Sequence, residues 1–290
     1  MATMPSILMS TRLLKKVFYP SDFLGGDETA FEHALRIALA AHGELALLHV
    51  DSKDVDFDWS LFPSVRLPLE RWGVIPPGSH HADVGGAGLT ITKVHRRAPG
   101  VASAIQEYVA DHEPDLVVLA THQRSGVGRW LHQAMAEPIA RTAHAPTLFV
   151  PRRIQGFIHP ESGAVRLATI LIPIDRQPDP QPAIDAAAAL VRTLGVTEVH
   201  FILLHVGPEE NVPVVTVPSD PGWTSEVETW EGDPVDHILA SAEANDADLI
   251  VMAKGGQQNI LDALRGSTTE RVVRGVKCPL LVVPVGAGAS

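Results

Sequence analysis

ADLIVMA at 247–253 restates PDLVVLA at 114–120, and that echo decides the fold. Moving outward from it, three further stretches recur in the same order. VFYPSDF at 17–23 returns as ILIPIDR at 170–176, LALLHV at 45–50 as FILLHV at 201–206, and APTLFVP at 145–151 as CPLLVVP at 278–284. Ordered recurrence of this kind means one unit written twice, which sets the domain count before any element is assigned. Each echoed run is short, aliphatic and bounded by turn residues, so it reads as a strand. Helical patterns separate the runs, which is the layout of βαβ units.

The first half gives strands at 14–19, 45–50, 89–94, 116–120 and 147–150, with helices at 28–41, 101–112 and 130–143. The second gives strands at 168–174, 199–206, 225–230, 249–253 and 280–283, with helices at 182–194, 235–244 and 268–276. The expected class is α/β: two doubly wound, mainly parallel five-stranded sheets with helices on both faces, a tandem repeat of one domain. Domain 1 is expected at 1–151, a Gly-, Pro- and Ser-containing linker at 152–166, and domain 2 at 167–290. Residues 51–88 are longer than an ordinary loop and are expected to pack on the first domain, with HHADVGGAG at 80–88 as their loosest part.

Composition agrees with this architecture. The chain of 290 residues is 45% hydrophobic but only 5% aromatic, so its cores are aliphatic, as suits parallel strands buried on both faces. A net charge of −11 leaves no Lys/Arg excess to attract phosphate backbones or anionic lipid, which argues against nucleic-acid and membrane partners. Cys278 is the sole cysteine, excluding an intrachain disulfide or a thiolate metal cluster and fitting a reducing compartment. No apolar run reaches the roughly 18 residues of a membrane span. Arg12, Lys15 and Lys16 follow the mildly apolar start instead of preceding it, so no leader is expected. The expected location is the cytoplasm.

In a doubly wound sheet the ligand crevice lies beyond the carboxyl ends of the strands, where strand order reverses. Two such ends stand out in the second half: Pro173-Ile174-Asp175, and Ala253-Lys254-Gly255-Gly256 followed by Gly266-Ser267-Thr268-Thr269-Glu270. Glycines let a ligand approach the backbone because they lack Cβ. A helix opening at Ser267 or Thr268 presents unpaired N–H groups and a positive dipole end to an anion. The hydroxyls of Ser267, Thr268 and Thr269 add donors, and Asp175 can accept from an adenine amine or a ribose hydroxyl. The same GSTTE segment also makes an ordinary capping box, with Ser267 capping and Glu270 three residues later. Asp175 likewise suits a plain turn before RQPDPQP.

With these residues in place the chain resembles a tandem universal stress protein over essentially all of both halves. Nucleotide-binding members of that family carry a glycine, two residues, a second glycine, nine residues, then Gly-Ser or Gly-Thr. Here Ala253 stands for the first glycine, while Gly256, Gly266 and Ser267 match. The resemblance implies further ATP contacts at Pro173, Asp175, Val206, Gly255, Thr268 and Thr269, with Mg²⁺ as an allowed companion of the nucleotide. The Gly232-Asp233-Pro234 turn is also typical of the family. It implies pairing of the final strands, here 147–150 with 280–283 inside one chain, as a pseudo-dimer; a further homodimer is left open.

The first half departs from the pattern. Ala120, Gln123 and Gln133 occupy its three glycine positions and Ala134 the hydroxyl position, although Pro20, Asp22 and Val50 survive. It is expected not to bind ATP in the family's manner. Among the histidines, His49 and His205 occupy equivalent positions and read as packing residues, and His122 beside the degenerate loop is a candidate for contacting another ligand. His80, His81, Asp83 and His95 are ligand types without ligand spacing, so no metal is expected. No activated nucleophile is legible, hence no catalytic residue, and at most slow ATP hydrolysis. The leading expectation is an ATP-binding or ATP-sensing stress-response protein acting through its second half. The alternative is a nucleotide-independent interaction scaffold, and an adenylating enzyme is disfavoured because the loops it needs are missing.

Overall fold

In the computed structural model, residues 14–21, 28–51, 57–121, 145–152, 154–255 and 268–285 are described. The first half runs β1 (Lys16–Pro20), α1 (Glu28–Ala40), β2 (Glu44–Asp51), α2 (Arg66–Arg71), α3 (His81–Gly86), β3 (Thr90–Arg97), α4 (Val101–His112), β4 (Leu116–Thr121) and β5 (Thr147–Pro151). The second runs β6 (Thr169–Pro173), α5 (Gln181–Leu194), β7 (Val199–Val206), β8 (Trp223–Trp230), α6 (Pro234–Ala244), β9 (Leu249–Gly255), α7 (Thr268–Gly275) and β10 (Leu280–Val285). The helix expected at 130–143 lies outside the described residues.

Within each half every pairing is parallel, and both halves use the same order. They join into one ten-stranded sheet, β3-β2-β1-β4-β5-β10-β9-β6-β7-β8. The seam is antiparallel, with Leu280 opposite Phe149, Leu281 opposite Leu148 and Val282 opposite Thr147. All six residues are buried. Two apolar edges that would otherwise invite aggregation thereby satisfy one another. On one face of the sheet α1 and α5 cover a single apolar cluster, from Val17 and Leu47 across Leu148 to Ile172 and Leu203. On the other face α4, α6 and α7 cover a second, from Phe18 and Ile105 across Phe149 to Ile238 and Val272.

The segment between β2 and β3 does pack on the first half, burying Phe62, Val65, Leu69 and Val84. Its expected loosest part is instead the helix α3, with Asp83 accepting the His80 N–H at 2.7 Å as at a helix start. The linker is likewise no slack tether. Its Ile158 bridges Val165 as a small hairpin, and the first half grips that hairpin through its backbone. Arg36 Nε donates to Gly163 O at 2.9 Å, while Arg71 Nε and Trp72 Nε1 both donate to Pro160 O at 2.8 Å. Gly163 adopts φ +65°, and a Cβ there would meet the Trp72 ring at 2.6 Å, so only glycine fits.

Candidate functional site

Two crevices open in the sheet, at matching places. In the second half β6 stays with β7 through Pro173 opposite Leu204, and Ile174 N–H continues the ladder to Leu204 O at 2.8 Å. Against β9 it pairs only at Ile170–Leu249 and Leu171–Ile250. Beyond Leu171 the two strands part, at the point where strand order reverses. In the first half β1 follows β2 to Pro20–Leu48 but pairs with β4 only at Val17–Leu116 and Phe18–Val117. The duplication has copied the opening as well as the strands.

A histidine fastens the lip of each opening. His205 is buried, with Nδ1 at 3.2 Å from Ile174 O and Nε2 at 3.2 Å from Pro208 O. Carbonyl oxygens only accept, so a neutral ring satisfies one of them and a charged ring both. Its counterpart His49 sets Nδ1 at 2.8 Å from Ser21 O, with Nε2 at 3.3 Å from Asp51. Assigning both residues to packing thus missed a positioning role. Their equivalence in the repeat was the available signal.

The second-half residues singled out from sequence fall into three groups. Pro173 ends β6; Asp175 is exposed just beyond it, its carboxylate accepting the Arg176 N–H at 2.7 Å. Arg176 in turn donates to Glu210 O at 2.6 Å, tying this loop to the one after β7, where Val206 is half-buried. Across the opening, Ala253 is half-buried with its methyl against the core beneath α5, and Gly255 is exposed at the end of β9. A Cβ on Gly255 would stand 3.1 Å from Pro178 Cβ, so the loop carrying Asp175 leans on the end of β9 and brings the two sides together. At the start of α7 the two threonines differ, Thr268 being exposed and Thr269 buried. Glu270 is buried and ion-paired with Arg274, a use the capping reading does not include. Gly256, Gly266 and Ser267 lie outside the described residues.

Lys254 was not singled out and is the unusual group here. It is buried, and loss of solvent pushes its ammonium below the ordinary lysine range. Strand alternation puts it opposite Ala253, toward α6 and α7. In the first half the same position holds Thr121, whose buried Oγ1 finds no hydrogen-bond partner among the described residues. The Gly232-Asp233-Pro234 turn is an anchor: Asp233 caps α6, accepting from Val235 N at 2.9 Å, and bridges Arg271 of α7 at 3.0 Å. That arginine holds the Asp233 carboxyl below the usual carboxylate range.

Of the first-half candidates, Pro20 and Val50 are buried at strand ends and Ala120 is half-buried on β4. Asp22, His122, Gln123, Gln133 and Ala134 lie outside the described residues. His95 sits with Asp51, its Nε2 at 3.2 Å from the carboxylate, and Phe57 stacks on the ring with centroids 3.7 Å apart. Asp83 belongs to the start of α3. Among the described residues no three His, Cys, Asp or Glu side chains gather as a metal site. A cavity of about 460 Å³ opens at the opposite, amino ends of β9 and β10, beside Gly156, Arg166, Leu239 and Cys278. Several of its charged groups are already engaged within the chain, Lys277 with Glu243 at 2.7 Å and Asp248 with the Ala168 and Thr169 N–H groups at 2.7 and 3.0 Å. The strand-end crevice, which lies where strand order reverses, is the candidate site.

A duplicated, doubly wound α/β chain with a crevice at each reversal of strand order is the class that fold and site define. The sequence pattern of the universal stress protein family matches residues 14–151 and 215–284. The chain belongs to the universal stress protein family. It is 37% identical over 82 residues to universal stress protein MJ0531 of Methanocaldococcus jannaschii, a match covering 28% of this chain and 48% of that protein. The chain thus spans about half the length of this curated relative. A universal stress protein from Archaeoglobus fulgidus superposes with TM-score 0.64 at 17% identity, covering 96% of this chain and 100% of that one. A Pseudomonas aeruginosa protein of unknown function gives 0.56 at 14%, covering 94% of each. At such identities the structures speak for the fold alone. No helix among the described residues is long and apolar enough to cross a membrane.

Proposed function

We propose that this universal stress protein binds an adenine nucleotide, ATP with or without Mg²⁺, in the second-half crevice and senses it in a cytoplasmic stress response. The observation that carries this is the parting of β6 from β9 beyond Leu171, with Asp175 on one lip and Gly255 on the other. Asp175 accepts from the base or ribose, flanked by Pro173 and Val206. The amides of Gly255, Gly256, Gly266, Ser267, Thr268 and Thr269 take the phosphates at the start of α7, where the helix dipole favours negative charge. Lys254, with its charge poorly solvated, favours an anion nearby. The methyl of Ala253, turned to the core, leaves the nucleotide room. The halves divide at 152–166 into domains 1–151 and 167–290, and the first does not bind ATP in the family's manner. Phe57 stacked on His95, and Ala120 in place of glycine, support that asymmetry.

Equilibrium dialysis of the purified chain tests the site. About one adenine nucleotide per chain is expected, with uptake weakened at least tenfold in Asp175→Ala and in Gly266→Val. Two equal sites, or unchanged uptake in both variants, would falsify the assignment. The contact of Pro178 with Gly255 favours a second reading, a nucleotide-independent scaffold whose crevice is closed by its own loop. That reading expects no rise in Tm with ATP, whereas a ligand selective for the folded state must raise it.

A further inference from the structure

With β5 and β10 joined, β3 and β8 are the outermost strands of the sheet among the described residues, and they are opposite in charge. β3, TITKVHRR, carries Lys93, Arg96 and Arg97 and no acid; β8, WTSEVETW, carries Glu226 and Glu228 and no base. Arg96, Glu226 and Glu228 also share a face, whereas alternation turns Lys93 and Arg97 to the other, where Lys93 lies over the Phe62 ring. Val94 packs into the cluster beneath α4, so strand alternation puts Arg96 on that side, where it lies 3.8 Å from Glu107 of α4. Glu228 accepts from Ser241 Oγ of α6 at 2.9 Å, which puts Glu228 and Glu226 on the corresponding face of the second half.

Each end also leaves apolar side chains in solvent. Val227 and Trp230 of β8 are 54% and 50% exposed. At the other end, Trp59 and Leu61 beside β3 are 55% and 54% exposed. Residues 57–88 pack on the α1 face of the β3 end through Phe62 and Leu69, while the shorter stretch 207–222 leaves most side chains of β8 exposed.

We propose that the chain binds a second copy of itself head to tail, the β3 edge of one copy against the β8 edge of the next. β3 runs with β5 and β8 with β10, and those two are antiparallel, so the outer strands run in opposite directions. A copy displaced along the sheet therefore brings β3 antiparallel to β8, with Arg96 on the same face as Glu226. Two-fold pairing of like edges would instead set Arg96 and Arg97, or Glu226 and Glu228, against their own copies. Opposite charges across strands stabilise a pair and like charges oppose it. A heterologous contact of this kind leaves an unused edge at each end of a pair, so copies add beyond the dimer, as an open chain or, where the rotation per copy closes, as a ring. The contact is independent of the nucleotide reading.

Sedimentation velocity of the full chain at low salt tests this. The mean sedimentation coefficient is expected to climb with concentration without a plateau at the dimer, and to fall back as salt screens the charges. Arg96→Glu and Glu226→Lys are each expected to lose the larger species. Mixing the two variants, or combining both changes in one chain, should restore them. Val227→Lys, on a side chain already in solvent, should also lose them, which guards against a folding defect in Arg96→Glu. A chain that stays monomeric at every concentration, or a closed dimer that survives both charge reversals, would overturn the proposal.

Discussion

His33 on α1 accepts the backbone N–H of Phe157 through Nε2 at 3.1 Å, across the boundary between the first half and the linker. Its Nδ1 donates to Thr29 O at 2.6 Å, so the ring is the neutral tautomer with its proton on Nδ1. Complete burial brings its pKa down from 6.5 to about 4. Between those values the unfolded chain holds a proton that the folded chain does not, so stability rises with pH through this window and is flat above it. The folded state loses about 3 kcal/mol from this group as pH falls to the bottom of the window. Glu32, a neighbour on α1, acts oppositely: burial raises its pKa despite Arg71, so its contribution declines as pH rises. Urea midpoints from pH 4 to 7 should therefore be compared between the parent and His33→Gln. The variant is expected to lose the His33 part of the slope. Identical slopes in the two proteins would contradict this account.

The strap formed by the linker depends on Gly163. Gly163→Ala combines a positive φ with a methyl driven into the Trp72 ring, and a loss on the order of 2 kcal/mol is expected. Gly78 has φ +78° but open space around its missing Cβ, so Gly78→Ala carries only the backbone penalty, about 1 kcal/mol. Denaturant titrations of both variants separate the two effects. Equal losses would mean that the Trp72 contact is not what holds the hairpin.

Local patterns were legible in the sequence, and distant contacts were not. The bounds of α4, Val101–His112, and the end of β7 at Val206 follow from periodicity and turn residues alone. β3 runs on to Arg97, past the expected 94, because its pairing with β2 lasts to Asp51. His33 gave no signal, since a histidine on a helix is unremarkable until a partner 124 residues away turns up. The grip of Arg71 and Trp72 on Pro160 was hidden for the same reason. At the candidate site the glycine spacing pointed to the end of β9. It gave no hint that Pro178 leans on Gly255 or that Lys254 is buried.

Ala253 separates a packing role from a ligand clash. Its methyl lies against the core, so Ala253→Gly should cost about 1 kcal/mol through lost burial and a looser strand. ATP uptake should stay within a few-fold of the parent. A tenfold gain in affinity would mean instead that the methyl faces the nucleotide.

Cys278 supplies a check on the packing of the second half. Burial pushes its thiol up to about 12, with Asp248 adding to the effect, so almost no thiolate forms near neutral pH. Thiol reagents should modify the folded chain slowly and the denatured chain at the rate of an ordinary cysteine. Rapid modification of the folded protein would show that the half-buried thiol beside the cavity at the amino ends of β9 and β10 forms thiolate more readily than this shift allows.

The seam between β5 and β10 bears on cooperativity. The cluster beneath α1 and α5 includes Leu148 and Leu281 and runs through both halves, so neither half can unfold without exposing the other's apolar edge. Leu281→Ala should therefore cost roughly 3 kcal/mol, in line with other buried leucines. It should move one common transition to lower denaturant, and circular dichroism and tryptophan fluorescence should continue to coincide. Trp59 and Trp72 lie in the first half, Trp223 and Trp230 in the second, so separate unfolding would pull the two signals apart. A split transition in the variant, with one half retained, would mean that each sheet is stable without the seam.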